Sequence, residues 1–279
     1  MPALSVDLDR YRIAPGTAVD LAARDPRDTQ GLDGDADKDA AKDQEKANID
    51  AMQDLQERLY AESTRSVLLV LQAMDTAGKD SSIREVTDGL NPQGCRVWSF
   101  KAPSSEERAH DFLWRVHARA PRQGMIAIFN RSHYEDVLIA RVKNLAPPDL
   151  IEARYGHINA FERLLADHGT RIVKVMLHVS KEYQLERLKR RLERPDKHWK
   201  FNPADLAERE RWDNYMGAYE VALQRCSTDY APWYVVPAER RWFRDLVLTQ
   251  LLRETLEDMD PQYPAPTFDP ADYPPDSLR

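Results

Sequence analysis

Short apolar runs alternate along this chain with longer segments in which apolar residues recur every three or four positions. Five apolar runs predict buried strands, at residues 66–72, 96–100, 125–129, 171–177 and 233–236. Helical spacing predicts helices over residues 37–62, 105–115, 148–167, 181–194, 204–225 and 239–258. Strands that alternate with helices are typical of right-handed β-α-β units. The pattern therefore predicts an α/β domain built on a mostly parallel five-stranded sheet.

The two ends of the chain lack this alternation. Residues 1–36 are polar and contain glycines and several aspartates, which predicts an N-terminal arm with little structure of its own. Residues 37–258 hold every predicted strand and helix and form one predicted domain. Residues 259–279 contain six prolines and are predicted to be an extended C-terminal tail.

Composition narrows the class of protein. No run approaches the ~18 apolar residues that a membrane span needs, and the N-terminus does not follow the pattern of a secretory signal. The two cysteines, Cys95 and Cys226, are too few for a disulfide scaffold. These features predict a cytoplasmic protein with no membrane partner.

The net charge of −7 is unevenly distributed. Residues 1–60 carry 8 Lys/Arg against 14 Asp/Glu, and residues 254–279 carry 1 against 7. The middle of the chain therefore holds 31 Lys/Arg against 26 Asp/Glu. A basic middle fits an anionic substrate, although charge alone also fits nucleic acid.

The segment after the first predicted strand reads Ala73-Met-Asp-Thr-Ala-Gly-Lys-Asp-Ser81 and precedes helical spacing. A strand, a loop ending in Gly-Lys and a helix form a phosphate cradle of backbone N–H groups. The usual Walker A pattern is G-x-x-x-x-G-K-[ST], but Asp80 stands here in place of the hydroxyl residue that holds Mg²⁺. Asp75 offers a carboxylate in place of the missing hydroxyl, which makes Asp75 the candidate metal anchor. The alternative is a chance Gly-Lys in a turn.

The third predicted strand ends in Asn130, where related folds place a metal-orienting carboxylate. Glu135 follows within one turn and is the candidate replacement. Arg131 is suited to bidentate phosphate contacts. Lys101 follows the second strand and is predicted to face the same edge of the sheet. A strand end with an ordinary helix cap is the alternative interpretation of this segment.

Residues 187–200 carry seven Lys/Arg against two acids, and Pro195 interrupts the run. Phosphotransferases with a phosphate-loop core keep a mobile, arginine-bearing lid at this place, where it neutralises developing charge and excludes water. The lid is predicted to span about residues 183–215. The alternative is a solvated helix face.

Six segments in this order resemble the polyphosphate kinase 2 family. They are Leu71-Gln-Ala-Met-Asp-Thr-Ala-Gly-Lys-Asp-Ser-Ser82, Ser99-Phe-Lys-Ala-Pro103, His110-Asp-Phe-Leu-Trp-Arg115, Phe129-Asn-Arg-Ser-His-Tyr-Glu-Asp-Val137, Pro195-Asp-Lys-His-Trp-Lys-Phe201 and Ala231-Pro-Trp-Tyr-Val-Val-Pro237. Within that family, an asparagine at position 130 and an aspartate at position 80 resemble the pattern of the single-domain group. Members of that group accept AMP as well as ADP.

The resemblance implies a P-loop kinase-like three-layer αβα sandwich with a helical lid. It also implies Mg²⁺-dependent, reversible transfer of the terminal phosphoryl group of inorganic polyphosphate to AMP or ADP, with ATP as a further nucleotide partner. A homo-oligomer, either a dimer or a tetramer, is expected, with no nucleic-acid partner. The predicted catalytic residues are Asp75, Lys79, Arg131 and Glu135, of which Asp75 and Glu135 hold the metal. The predicted phosphate-binding residues are Ala77, Gly78, Lys79, Asp80, Ser81, Lys101, Arg187, Arg190, Arg191 and Arg194.

The sequence is also compatible with two other functions. An ATP-dependent nucleoside monophosphate kinase of the thymidylate kinase type would share the core and the lid. A non-catalytic protein that binds a nucleotide or nucleic acid would also use a basic middle, although no aromatic-interleaved nucleic-acid motif is present.

Overall fold

The computed structural model describes residues 4–274 as a mixed α/β structure. The strands are β1 (Arg12–Ile13), β2 (Ser66–Ala73), β3 (Cys95–Ser99), β4 (Ile126–Asn130), β5 (Thr170–His178) and β6 (Trp233–Pro237). The helices are α1 (Asp35–Glu62), α2 (Lys79–Val86), α3 (Ser105–Ala109), α4 (Trp114–His117), α5 (Ile139–Val142), α6 (Pro148–Asp167), α7 (Lys181–Glu193), α8 (Ala204–Glu210), α9 (Trp212–Cys226) and α10 (Arg241–Met259). Short 3₁₀ turns cover His133–Asp136, Pro195–Lys200 and Pro270–Asp272.

The strands form one sheet in the order β1-β6-β5-β2-β4-β3. All neighbouring pairs are parallel except β1 with β6. The predicted count of five strands is therefore wrong by one. The sixth, β1, comes from the segment predicted to have little structure, and its two residues are too few to show a periodic pattern. Val6, Tyr11 and Leu21 from the same segment are also buried in the core.

The central strand is covered on both faces. All eight residues of β2 are buried, which is typical of a parallel strand with helices on either side. Helix α10 packs against α1 and α2, and α5, α6 and α9 form a second group. This arrangement gives the predicted P-loop kinase-like αβα architecture.

The carboxyl ends of three strands meet at one edge of the sheet. Leu71 of β2 pairs with Asn130 of β4, and Asn130 pairs with Ser99 of β3. The order in which the chain adds strands reverses at β2, since β4 and β3 lie on one side of it and β5 and β6 on the other. Open α/β sheets bind ligands at such a switch point.

Two predicted helices are each divided in two. The helix predicted over 105–115 stops at His110, whose backbone is extended, and the Asp111 carboxylate accepts hydrogen bonds from Leu113 N (2.9 Å) and Trp114 N (3.1 Å) to cap a new helix. The helix predicted over 204–225 breaks at Arg211, whose Nη1 donates to the Val142 carbonyl over 3.1 Å. A local cap overrides helical spacing at the first place, and a contact distant in sequence accompanies the break at the second.

Among the described residues, no helix combines the length and the apolar character that crossing a membrane requires.

Candidate active site

The segment between β2 and α2 forms a phosphate-loop turn. Gly78 caps the N-terminus of α2 with a φ of 105°, a left-handed conformation that favours glycine. Thr76 also has a positive φ, of 71°, which is rare for a β-branched residue and costs roughly 1–3 kcal/mol. Strain of this kind concentrates at ligand-binding loops. Because the first N–H groups of a helix have no partner within the helix, the first turn of α2 presents free N–H groups at the sheet edge.

The Lys79 ammonium lies inside this loop. Its Nζ donates to the carbonyl oxygens of Ala73 (2.8 Å) and Met74 (3.3 Å), and the residue is buried. Burial lowers the pKa of Lys79, and the Asp75 carboxylate opposes that shift. The structure thus holds a lysine charge at the base of the loop, where it can reach a bound phosphate.

Asp75 and Arg131 face each other across the site. Arg131 follows β4 with a φ of 60°, and this turn directs its Nη2 to Asp75 Oδ1 at 2.5 Å. Burial acts to raise the pKa of Asp75, but Lys79 and Arg131 outweigh it, so the net shift is downward. The Asp75 carboxylate is therefore ionised at neutral pH.

A cleft of about 720 Å³ surrounds this pair. Its lining includes most of the predicted site residues: Asp75, Gly78, Lys79, Asp80, Ser81, Lys101, Arg131, Arg187, Arg190, Arg191 and Arg194. Eleven Lys or Arg side chains line it against only two carboxylates, those of Asp75 and Asp80. This surplus of nine positive charges is the electrostatic signature of a site for a polyanion.

Two predicted residues do not line the cleft. Ala77 is buried, and its backbone N–H already donates to the Met74 carbonyl over 3.3 Å. Glu135 lies behind the cleft, where the Gln72 amide nitrogen can donate to its Oε1 over 3.0 Å. Burial raises the pKa of Glu135, while Arg131 and Lys79 act in the opposite direction. Glu135 therefore lies behind the cleft surface and does not line the cleft.

Asn130 and Asp80, which stand where related folds have a carboxylate and a hydroxyl residue, contact each other. Asn130 Nδ2 donates to Asp80 Oδ1 over 2.9 Å. The other oxygen of Asp80 lies 3.8 Å from Lys200 Nζ, on the 3₁₀ turn after α7. Asp80 therefore connects the strand end to the segment that overhangs the cleft.

The arginines of α7 and the residue after it fall into two groups. Arg191 Nη1 donates to the Lys200 carbonyl over 2.9 Å, and Arg194 pairs with Asp196 at 2.9 Å. These two hold the overhanging segment together. Within residues 4–274, Arg187 and Arg190 form no ion pair, so their charges face the cleft without a carboxylate partner.

Several cleft residues were missing from the predicted set, namely Thr76, Arg84, Ser99, Lys197, Lys200 and Arg241. Arg241 begins α10 soon after β6 ends. The rule that carboxyl ends of parallel strands meet at one edge was the signal that could have identified it. Arg84 lies on α2, beyond the loop motif, and no local pattern distinguishes it from a solvated helix residue.

A fully buried network supports the segment after β4. Lys174 of β5 donates to Glu162 Oε2 over 2.5 Å and to Tyr134 Oη over 2.9 Å. Glu162 Oε1 also lies 3.1 Å from His133 Nε2. Burial acts to raise the pKa of Glu162, but Lys174 and His133 outweigh it and the net shift is downward. This network anchors the 3₁₀ turn that follows Arg131.

The loop can supply part of a metal site. Within residues 4–274, no three metal-ligating side chains cluster together. Asp75 nevertheless presents an ionised carboxylate to the cleft, and the buried Thr76 hydroxyl beside it has no hydrogen-bond partner among these residues. One or two carboxylates completed by substrate phosphate oxygens are the usual Mg²⁺ shell in phosphoryl-transfer sites. The residues present fit such a shared shell.

Comparison with known proteins gives a consistent picture. The model of the polyphosphate kinase 2 family matches residues 35–264. The AMP/ADP-polyphosphate phosphotransferase of Meiothermus ruber is 50% identical over 259 residues, which cover 93% of this chain and 96% of that protein. The ADP-polyphosphate phosphotransferase of Rhodopseudomonas palustris is 44% identical over 238 residues, 80% of this chain and 81% of that protein. The crystal structure of polyphosphate kinase 2 from Arthrobacter aurescens matches with a TM-score of 0.90 at 44% identity, covering 95% of this chain and 93% of that one. This chain therefore belongs to the polyphosphate kinase 2 family.

Proposed function

We propose that this protein transfers the terminal phosphoryl group of inorganic polyphosphate to AMP and ADP, in a reversible reaction. The observation that carries the proposal is the cleft around the phosphate loop, with eleven cationic side chains against two carboxylates. Such a surplus fits a donor with many phosphates better than a single nucleotide. The names of the relatives from Meiothermus ruber and Rhodopseudomonas palustris support the same donor and the same acceptors.

The mechanism is direct in-line transfer. A terminal phosphate oxygen of AMP or ADP attacks the end phosphorus of the polyphosphate chain and forms a new P–O bond. The bond to the next phosphate breaks, and the chain leaves one phosphate shorter with the bonding electron pair. No covalent enzyme intermediate is required, since positioning and charge stabilisation do most of the work in phosphoryl transfer.

Each charged group has a defined part in this scheme. Lys79 and Arg131 neutralise the oxygens of the transferring group, and Arg187 and Arg190 bind the polyphosphate chain. Mg²⁺, held by Asp75 together with substrate oxygens, would neutralise phosphate charge there.

The segment over about residues 183–215 acts as a lid in this proposal. It contacts the loop through Gln184 Nε2, which donates to the Asp75 carbonyl over 3.1 Å, and through the Lys200–Asp80 pair. Closure of this segment brings its arginines onto the donor and excludes water from the reacting phosphates. A homo-oligomeric state stays a prediction.

The two alternatives are not favoured. An ATP-dependent monophosphate kinase of the thymidylate kinase type would not need so large a surplus of cations. A non-catalytic binding protein would not need the buried Lys79 and the ionised Asp75 that this loop retains.

An assay with polyphosphate as the only phosphate donor tests the proposal. We expect the wild-type protein to convert AMP to ADP and ADP to ATP. Lys79→Ala and Asp75→Asn should each lower kcat at least about 100-fold, since each removes charge stabilisation from the reacting group, while the melting temperature stays within a few degrees. Full activity in either folded variant would refute the site assignment.

A further inference from the structure

An arginine of the last helix lies directly behind the phosphate loop. Arg244 is in the first turn of α10 and only 1% of its surface is exposed. Arg241, three residues earlier on the same helix, lines the cleft. The start of α10 thus sends one arginine into the cleft and another beneath the loop.

The Arg244 guanidinium occupies the space that a side chain at position 78 would need. A Cβ built on Gly78 would lie 2.3 Å from Arg244 Nη1 and 3.5 Å from its Cζ. The Gly78 carbonyl meanwhile accepts hydrogen bonds from Ser82 N (3.0 Å) and Ser81 Oγ (2.8 Å). Gly78 is therefore held between the first turn of α2 on one side and the guanidinium on the other.

The guanidinium is only partly engaged by a carboxylate. Its Nε donates to Asp245 Oδ1 over 2.8 Å, and its Nη2 lies 2.6 Å from the same oxygen. Nη2 is buried and makes no geometrically sound hydrogen bond within residues 4–274. Nη1, the nitrogen nearest Gly78, also donates to no protein group in that range. Burying a charge costs free energy unless its hydrogen-bonding groups are used.

This guanidinium has unused donors and lies behind the anion-binding loop. Its positive charge is therefore placed to stabilise an anion bound by that loop. Arg244 is not among the residues that line the cleft, so it acts through Gly78 and through its field. A neutral side chain of similar size would fill the same volume without that field.

We infer that Arg244 is a positioning residue for the phosphate loop. It fixes the Gly78 backbone so that the loop N–H groups face the cleft, and it adds positive charge beneath the bound end of the polyphosphate chain. This inference rests on the proposed function, because it assigns Arg244 to the same phosphate site.

The test compares Arg244→Met with wild type by calorimetric binding of tripolyphosphate and by steady-state kinetics. We expect Arg244→Met to bind tripolyphosphate about 10-fold more weakly and to lose about 10-fold in kcat, as for removal of one charge-assisted interaction. Arg253→Met is the matched control, since Arg253 lies on the same helix and pairs with Glu257 instead. It should bind tripolyphosphate and turn over like the wild type. Unchanged binding and kcat in a folded Arg244→Met variant would overturn the inference.

Two further variants separate positioning from a merely structural role. Arg244→Lys keeps the charge but withdraws the planar group from Gly78, so it should restore tripolyphosphate binding to within about 3-fold while kcat stays low. Wild-type kcat in Arg244→Lys would contradict the positioning role, even where Arg244→Met does not fold. Gly78→Ala introduces a Cβ against the guanidinium, in addition to the strain of an alanine at a φ of 105°, and Arg244→Ala removes that contact. In kcat, the double variant Gly78→Ala/Arg244→Ala should therefore lose less than the two single losses combined. Strictly additive losses would contradict the contact.

The binding measurement needs neither nucleotide nor turnover. If wild-type protein binds tripolyphosphate but fails to phosphorylate AMP or ADP, the proposed function is refuted. The dependence of binding on Arg244 would still be measurable in that case.

Discussion

A partly buried carboxyl group behind the phosphate loop should make the stability of the fold depend on pH. Glu45 of α1 faces Asp245 and Arg244 of α10. Burial, together with the neighbouring carboxylates, raises the pKa of Glu45 from 4.5 to about 7, and Arg244 only partly offsets that rise. In the unfolded chain, by contrast, the same carboxyl group ionises near its usual pKa. The folded protein therefore holds a proton on Glu45 over a range of pH in which the unfolded chain has lost it.

The sign of the effect follows from this difference in bound protons. Because the folded state binds the extra proton, the contribution of Glu45 to the free energy of unfolding is largest below pH 4.5. This contribution falls as pH rises to about 7. The full difference corresponds to about 3 kcal/mol at ~1.4 kcal/mol per pH unit. Partial contact of Glu45 with solvent reduces this difference, and we expect a change in the free energy of unfolding of about 1–2 kcal/mol.

Glu45→Gln removes the titration and keeps the shape of the side chain. Urea unfolding should show equal stability of variant and wild type at pH 4.5, and an advantage of about 1–2 kcal/mol for the variant at pH 8. Glu57→Gln on the exposed face of α1 is the control and should behave like wild type at both pH values. A Glu45→Gln advantage that is the same at both pH values, or that is larger at pH 4.5, would refute the reasoning.

Two further variants test the charges around the site. Lys174→Met should lower the free energy of unfolding by about 3–5 kcal/mol, because it leaves the Glu162 carboxylate buried without its main partner; urea unfolding measures this, and a loss below 1 kcal/mol would contradict the network. The double variant Arg187→Gln/Arg190→Gln should raise KM for polyphosphate at least about 10-fold, since each charge-assisted hydrogen bond contributes ~1.5–3 kcal/mol, while KM for AMP changes little. An equal rise in both KM values would show that these arginines do not bind the donor specifically.

Much of this fold could be predicted from the sequence, because its strands are continuous apolar runs buried on both faces. Five of the six strands and the loop before Lys79 lie where the pattern indicated. Once the strands are parallel, the residues after β2, β3 and β4 must meet at one edge. That geometry explains why Asp75, Lys101 and Arg131 line one cleft.

The remaining features depend on contacts that are distant in sequence or on local turns. The strand β1 exists only because β6 offers an edge to pair with. Glu135 lies behind the cleft, in the 3₁₀ turn that follows the left-handed Arg131. Arg244 reaches Gly78 across more than 160 positions, and no local pattern indicates such a contact.

Two parallel assays, one for each phosphate donor, decide whether polyphosphate or ATP phosphorylates AMP. Purified protein with AMP, Mg²⁺ and either polyphosphate or ATP as the only donor is followed for ADP formed from AMP, with Lys79→Ala protein as the blank. We expect rapid phosphorylation of AMP with polyphosphate, slow phosphorylation with ATP, and none with the variant. Phosphorylation of AMP by ATP alone, with polyphosphate inert as a donor, would contradict the proposed function.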